Sequence, residues 1–302
     1  MKRLTLLFVS FTLLTLTSQA QYSMDFGFSL GGSNYVGEVG GRGDAPKPWL
    51  LDMNLAKTNI GLGGFYRYNF TRNIAAKISV NYARIGGSDS TSKIKTQIAR
   101  NLSFRTDIIE LALTGEYYFF TINNLSRASN ARIDFGAYAF AGAGIALYYP
   151  YAQYQDKWYY LRPLQTEGVE NAYDEMTVVI PFGAGANFTF NKKIKLGIEF
   201  GYRFTFTDYL DDISTDYAFD SELPFEESIL FANRTDEAYA RGENGLPSRE
   251  AFRSGSIRGN PDTNDGYLLG LISISYNISN KNSFHKARYN SVINRRRKRT
   301  KF

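Results

Sequence analysis

Thr177-Val178-Val179-Ile180-Pro181-Phe182-Gly183-Ala184-Gly185-Ala186-Asn187-Phe188-Thr189-Phe190 runs into Asn191-Lys192, and the chain returns through Ile194-Lys195-Leu196-Gly197-Ile198-Glu199-Phe200-Gly201-Tyr202-Arg203-Phe204-Thr205-Phe206. On the first arm Val178, Ile180, Phe182, Ala184, Ala186, Phe188 and Phe190 share one face. On the second, Ile194, Leu196, Ile198, Phe200, Tyr202, Phe204 and Phe206 oppose Lys195, Gly197, Glu199, Gly201, Arg203 and Thr205. A period of two marks β-strands, because successive strand side chains point to opposite faces. Both arms outrun the usual strand of about 5–6 residues, while a tilted membrane strand needs about 9–11. Aromatic residues flank the aliphatic middle of the apolar face, the pattern of a girdled barrel wall. A soluble sandwich alternates too, so the neighbouring strands have to decide.

Six further stretches carry the same alternation. The first strand spans about Tyr22 to Tyr35, the second about Asn59 to Phe70 with Phe65 out of phase, and the third Ile74 to Ala83. A polar loop, about Gly86 to Phe104, precedes the fourth strand at about Arg105 to Ile122. The fifth runs from Ala131 to about Tyr149, a Tyr-rich loop reaches Glu175, and the hairpin supplies the sixth and seventh. The longest loop, Asp208 to Asp265, leads to the eighth strand at Gly266 to Ile278. Connections are long after strands one, three, five and seven and short after two, four and six. Transmembrane barrels sort their loops in this way, with short periplasmic turns and long external loops; a soluble sandwich has no reason to. The expected fold is therefore all-β, an eight-stranded antiparallel transmembrane β-barrel with long extracellular loops, short periplasmic turns and both termini in the periplasm.

The start of the chain agrees with export. Lys2-Arg3, the apolar Leu4 to Leu16 and Ser18-Gln19-Ala20 read as a signal peptide over residues 1–20. Residues 21–278 are then the barrel and residues 279–302 a basic periplasmic tail. No stretch after the leader reaches the about 20 apolar residues of a spanning helix. The expected location is the outer membrane of a diderm bacterium, with outer-membrane lipid as a partner. The net charge of +6 is misleading on its own, since the tail carries nine Lys or Arg and no acid, leaving the body net negative. The basic balance therefore does not indicate nucleic acid. The chain has no cysteine, which removes disulfides and thiolate metal sites.

Side chains fill the lumen of an eight-stranded barrel. The charges expected to point inward are Asp25, Arg67, Lys77, Glu110, Glu116, Lys195, Glu199 and Arg203, four of each sign. Buried charges must be paired, so the balance suggests a salt-bridged plug rather than a conducting pore. At the loop end, Asn34, Tyr35, Asp208, Tyr209, Asp211 and Asp212 form candidate motifs. The acidic run Asp208 to Asp216 lacks the spacing of a helix-loop-helix calcium site, and no metal or cofactor is expected.

Three of these stretches carry a resemblance: Gly32-Ser33-Asn34-Tyr35-Val36-Gly37-Glu38-Val39-Gly40, Thr207-Asp208-Tyr209-Leu210-Asp211-Asp212-Ile213-Ser214, and Arg258-Gly259-Asn260-Pro261-Asp262-Thr263-Asn264-Asp265-Gly266-Tyr267. In this order the chain resembles the PorG-like outer-membrane proteins of Bacteroidetes. The resemblance implies a non-enzymatic barrel associated with the type IX protein secretion machinery, contacting a periplasmic ring of lipoprotein and partner subunits. It brings no catalytic residues, and the basic tail falls outside it. The alternative is a structural or adhesive barrel unrelated to secretion. Catalysis is not expected: general-base chemistry most often uses His, and the single His285 follows the last strand. The tail run Arg295, Arg296, Arg297, Lys298 and Arg299 is the expected contact for an acidic periplasmic partner.

Overall fold

The alternation of the hairpin recurs throughout the wall of the computed structural model, which describes residues 23–39, 58–123, 125 and 132–279. The strands are β1 (Ser23–Val36), β2 (Asn59–Asn69), β3 (Ile74–Ser88), β4 (Ser103–Ile122), β5 (Ile133–Tyr154), β6 (Lys157–Tyr160), β7 (Met176–Phe190), β8 (Ile194–Thr205) and β9 (Gly266–Ser279). Neighbouring wall strands pair antiparallel, and β1 pairs with both β2 and β9, which closes the sheet. Eight strands make the wall. The ninth, β6, folds back on the upper part of β5 (Tyr151 opposite Tyr160) and stands outside the closed circuit. Closure removes the exposed edges that make an open sheet a template for aggregation.

The exposed face carries Phe28, Leu30, Val80, Leu111, Leu113, Ile198, Phe200, Ile272 and Ile274. The opposite positions are buried and face the lumen. Phe65 breaks the sequence pattern because it points inward, where its ring lies 5.1 Å from the Arg67 guanidinium carbon. At the other end of β4 a bulge between Tyr118 and Phe120 shifts the register and leaves both Phe119 and Phe120 exposed. The β7–β8 turn places Asn191 and Lys192 at φ 49° and 62°, the two left-handed residues of a type I′ hairpin. Short connections (Phe70 to Asn73, residues 123–132, and Asn191 to Lys193) gather at the end where Ser23 pairs with Asn69 and Ser279.

The loop end is more ordered than the sequence suggests. Instead of a polar loop from Gly86 to Phe104, β3 and β4 continue to pair up to Ser88 opposite Ser103. Gly87 permits this: a Cβ there would lie 2.6 Å from the Val39 carbonyl oxygen and 2.8 Å from the Phe104 ring. Helix α1 (Lys95–Arg100) spans the remaining connection. Likewise β5 runs on to Tyr154, and the Tyr-rich loop contains β6. The longest connection folds as a cap with α2 (Glu226–Ala232) and α3 (Thr235–Ala240). Ala99, Tyr217 and Phe252 form a small core in this cap, and Ala152, Leu161 and Phe231 form another.

Candidate functional site

All eight charged side chains expected in the lumen lie inside the wall, and each belongs to an ion pair. Nearest the turn end, Asp25 accepts from Lys195, from Asn277 and from Asn69, and Arg67 lies 4.0 Å away. One layer up, Glu116 meets Arg67 at 2.8 Å and Lys77 at 3.8 Å, while Lys77 reaches Glu199 at 2.5 Å. Tyr138 donates to Glu199 at 2.9 Å and Tyr118 to Glu116 at 3.1 Å. Nearer the mouth, Glu110 is shared by Arg203 at 3.2 Å, Tyr267 at 2.7 Å and Asn81 at 2.6 Å. Opposite charges brought together across the lumen compensate each buried ion, which alone would cost several kcal/mol, about 3–5 when a partner is deleted.

Above Glu110 the lumen turns apolar. Leu210 and Ile213 descend from the cap and pack among Phe104, Ile108, Tyr148, Val179, Tyr267 and Leu269. Thr106 anchors this plug by donating to the Leu210 carbonyl. The three stretches that carry the family resemblance meet here. Tyr35 brings the first, with its hydroxyl 2.6 Å from both Asp211 Oδ2 and Asp265 Oδ1. Asp211 belongs to the second and Asp265 to the third. A hydroxyl has one proton to donate, so one of these two contacts requires a proton on the carboxyl. Asp265 also accepts from the Leu210 N–H at 3.1 Å, and Asp211 from the Ile213 N–H at 3.0 Å.

A second hub sits beside the first. Arg258 meets Glu167 at 2.7 Å, donates to the Asp212 carbonyl at 2.7 Å and has the Asp212 carboxylate at 3.9 Å. Asp212 accepts from Thr166 at 2.6 Å and from Tyr173 at 2.5 Å. The Tyr173 ring stacks on Tyr209 at 4.5 Å and 11°. Asn34 donates to Thr58 at 3.2 Å. Asp208 is buried, and neither carboxylate oxygen has a hydrogen-bond partner among the described residues.

Acids outnumber bases in this layer, and burial raises their pKa values. Burial, reinforced by Asp211, pushes the Asp208 carboxyl up to about 9. Burial takes Asp211 up to about 8, and Asp212 up to about 6 against the opposing pull of Arg258. Asp265 rises well above the carboxylate range through burial, then Asp211 and Asp208. Among the described residues no group of three or more His, Cys, Asp or Glu is placed to hold a metal ion. Tyr35 between Asp211 and Asp265 calls for a proton on one of those two carboxyls, and burial with the crowding of acids raises the pKa of Asp208 beside them.

Sequence reasoning omitted Glu167, Asp265 and Arg258 from the candidate residues. The last two lay inside the third resemblance stretch; Glu167 carried no signal, because its role depends on folding the Tyr-rich loop against the cap. The aromatic residues Tyr118, Tyr138, Phe140, Tyr148 and Tyr267 also fill the lumen, and none of them is among the expected site residues. The expected signal peptide over residues 1–20 and the tail run Arg295 to Arg299 lie outside the described residues.

A closed eight-stranded sheet with an apolar outer belt and a charged, plugged interior defines an outer-membrane β-barrel. The chain belongs to the family described as domain of unknown function DUF6089, whose model matches residues 2–229. Among solved structures it is similar to the N-terminal β-barrel domain of Pseudomonas aeruginosa OprF, at 9% identity over 86% of this chain and 98% of that one, with a TM-score of 0.33. Neisserial surface protein A matches at 6% identity, 86% and 98% coverage and a TM-score of 0.33. Ail of Yersinia pestis, solved with the heparin analogue sucrose octasulfate, matches at 10% identity, 85% and 97% coverage and a TM-score of 0.31. No curated protein matches the chain. Superpositions this loose leave the class resting on the closure of the sheet itself.

Proposed function

We propose that this protein is a non-enzymatic, non-conducting barrel of the type IX secretion machinery, with its loop end outward, its termini in the periplasm and a periplasmic ring complex as its partner. The observation that supports the reading is the meeting of the three resemblance stretches at one point: Tyr35 with Asp211 and Asp265, next to Arg258 with Asp212. Residues far apart in sequence join here in one buried unit, which gives the three stretches a common structural role in this chain. The ion-paired lumen and the plug favour a scaffold over a channel. On this reading the basic run Arg295 to Arg299 faces the ring. Deleting the gene and comparing secreted and surface proteins tests the role; unchanged export of the proteins that use this pathway removes it.

A second reading is a structural or adhesive barrel. Val169, Phe219, Phe225 and Ile257 are exposed on the cap, where apolar side chains suit contact with another molecule. Co-purification from detergent separates the two, since ring subunits accompany the protein only on the first.

A further inference from the structure

On the loop side the wall extends beyond the apolar belt. On β4 the belt includes Leu113, Leu111 and Ile109, all well exposed. The next two positions on that face toward the loop end are Asp107 and Arg105. Cross-strand register sets Arg84 opposite Asp107, Tyr149 opposite Asp107 on the other side, and Tyr151 opposite Arg105; Tyr160 of β6 follows Tyr151. The result is a continuous outward patch of aromatic and guanidinium groups directly above the lipid-facing belt.

Its charges are not equivalent. Arg84 is held by Asp107 at 2.7 Å, and Asp107 also accepts from Tyr82 at 2.8 Å. Arg105 has no carboxylate within ion-pair distance among the described residues; its guanidinium instead lies 3.9 Å from the Trp158 ring centre and 5.6 Å from that of Tyr151. Its Nε is buried without a hydrogen-bond partner among the described residues. Trp158 keeps 45% of its surface exposed. A stacked guanidinium is held flat with its N–H edge in a fixed fork, the geometry that matches phosphate.

Height selects the ligand. Four residues separate Ile109 from Arg105, about 13 Å of strand, or about 10 Å along the membrane normal at the usual tilt of about 35–45°. That is just past the hydrocarbon, in the headgroup layer. We propose that Arg105, Trp158 and Tyr151 form a docking site for a phosphorylated glycolipid headgroup of the outer leaflet. The phosphate pairs with Arg105, and a sugar face packs on the exposed part of Trp158. The site rests on the outward orientation of the loop end proposed above.

The test uses the full chain folded in detergent, with Trp49→Phe so that Trp158 is the sole tryptophan reporter, since the chain has two. Bis-phosphorylated lipid A should shift Trp158 emission saturably and bind at least tenfold more tightly than dephosphorylated lipid A. Inorganic phosphate should give no shift. Arg105→Gln should abolish the tenfold preference while the barrel still migrates as a heat-modifiable folded band, and Arg249→Gln on the cap should retain it. Equal binding of the two lipids, a preference that survives Arg105→Gln, or a shift by phosphate alone overturns the proposal. Orientation is read separately: Gln155→Cys, in a chain without native cysteine, should react with a membrane-impermeant maleimide on intact cells. Labelling without lipid preference sinks the docking site alone. Preference without labelling sinks the orientation and, with it, the assignment to the outer leaflet.

Discussion

Arg258 and Glu167, 91 residues apart, meet at 2.7 Å with 2% and 3% of their side chains exposed. This pair joins the connection after β6 to the cap, because Glu167 also accepts from the Ser214 and Thr215 backbone N–H groups at 2.9 Å each. Arg258→Met strands Glu167 and Asp212 as buried carboxylates. The expected loss is about 3–5 kcal/mol of cap stability, read as rapid proteolysis within residues 208–265 while the barrel keeps its folded migration. Replacing Glu167 by Leu in the same chain should recover part of that loss. A cap that resists protease as well as before would show that the pair does not hold it.

The upward shifts of Asp208 and Asp211 give the cap a pH dependence of definite sign. Folded acids with raised pKa values contribute stability that is fully present below their unfolded value of about 3.9. It is lost as pH rises toward about 9 for Asp208 and about 8 for Asp211. The near-UV circular dichroism of the stacked Tyr173 and Tyr209 rings should therefore melt at progressively lower temperature between pH about 5 and about 9. Asp208→Asn should flatten the trend. A melting temperature that rises with pH contradicts the proton assignment.

The outer face of the wall is tested at Ile198, 49% exposed at mid-strand. Arg at this position should destabilise the barrel by about 2–4 kcal/mol, the cost of a cation at the bilayer midplane. Urea titration in lipid vesicles reads the change. An unaltered midpoint would mean that this face does not meet lipid.

Inside the lumen, Lys77 bridges Glu116 and Glu199. Among the described residues, Lys77→Met leaves the neutral Tyr138 as the hydrogen-bond donor to Glu199 and should cost about 3–5 kcal/mol. Lys77→Met with Glu199→Gln should cost less than Lys77→Met alone, since no unpaired ion remains. If the double variant proves the less stable of the two, the pairing inferred from the structure is wrong.

At the β7–β8 turn Lys192 adopts a left-handed conformation with φ 62°. Glycine occupies this region without a Cβ penalty, and Asn-Gly is the favoured pair for a type I′ turn. Lys192→Gly should stabilise the hairpin by about 0.5–1 kcal/mol, measured as slower unfolding in urea. Faster unfolding would point to a lysine contact outweighing the strain.

What the sequence determined by itself is the wall. A side-chain period of two, repeated in eight long segments with alternating connection lengths, is a local property of the chain, and it sufficed for the strand count, for the outward Ile198 and Leu111, and for the inward Glu110 and Arg203. Local pattern puts position 65 on the inward face, but it could not show that the Phe65 ring meets the Arg67 guanidinium, or that a bulge beyond Tyr118 turns two adjacent phenylalanines outward, because both depend on the assembled sheet. Nor could it show the cap. Tyr35 reaches Asp211 across 176 residues and Asp265 across 230, and the raised pKa values of those acids follow from a burial that exists only once the three loops have closed over the mouth. Periodicity is set residue by residue along the backbone, whereas buried polar partners are chosen by the assembled fold, which must satisfy every group it removes from water.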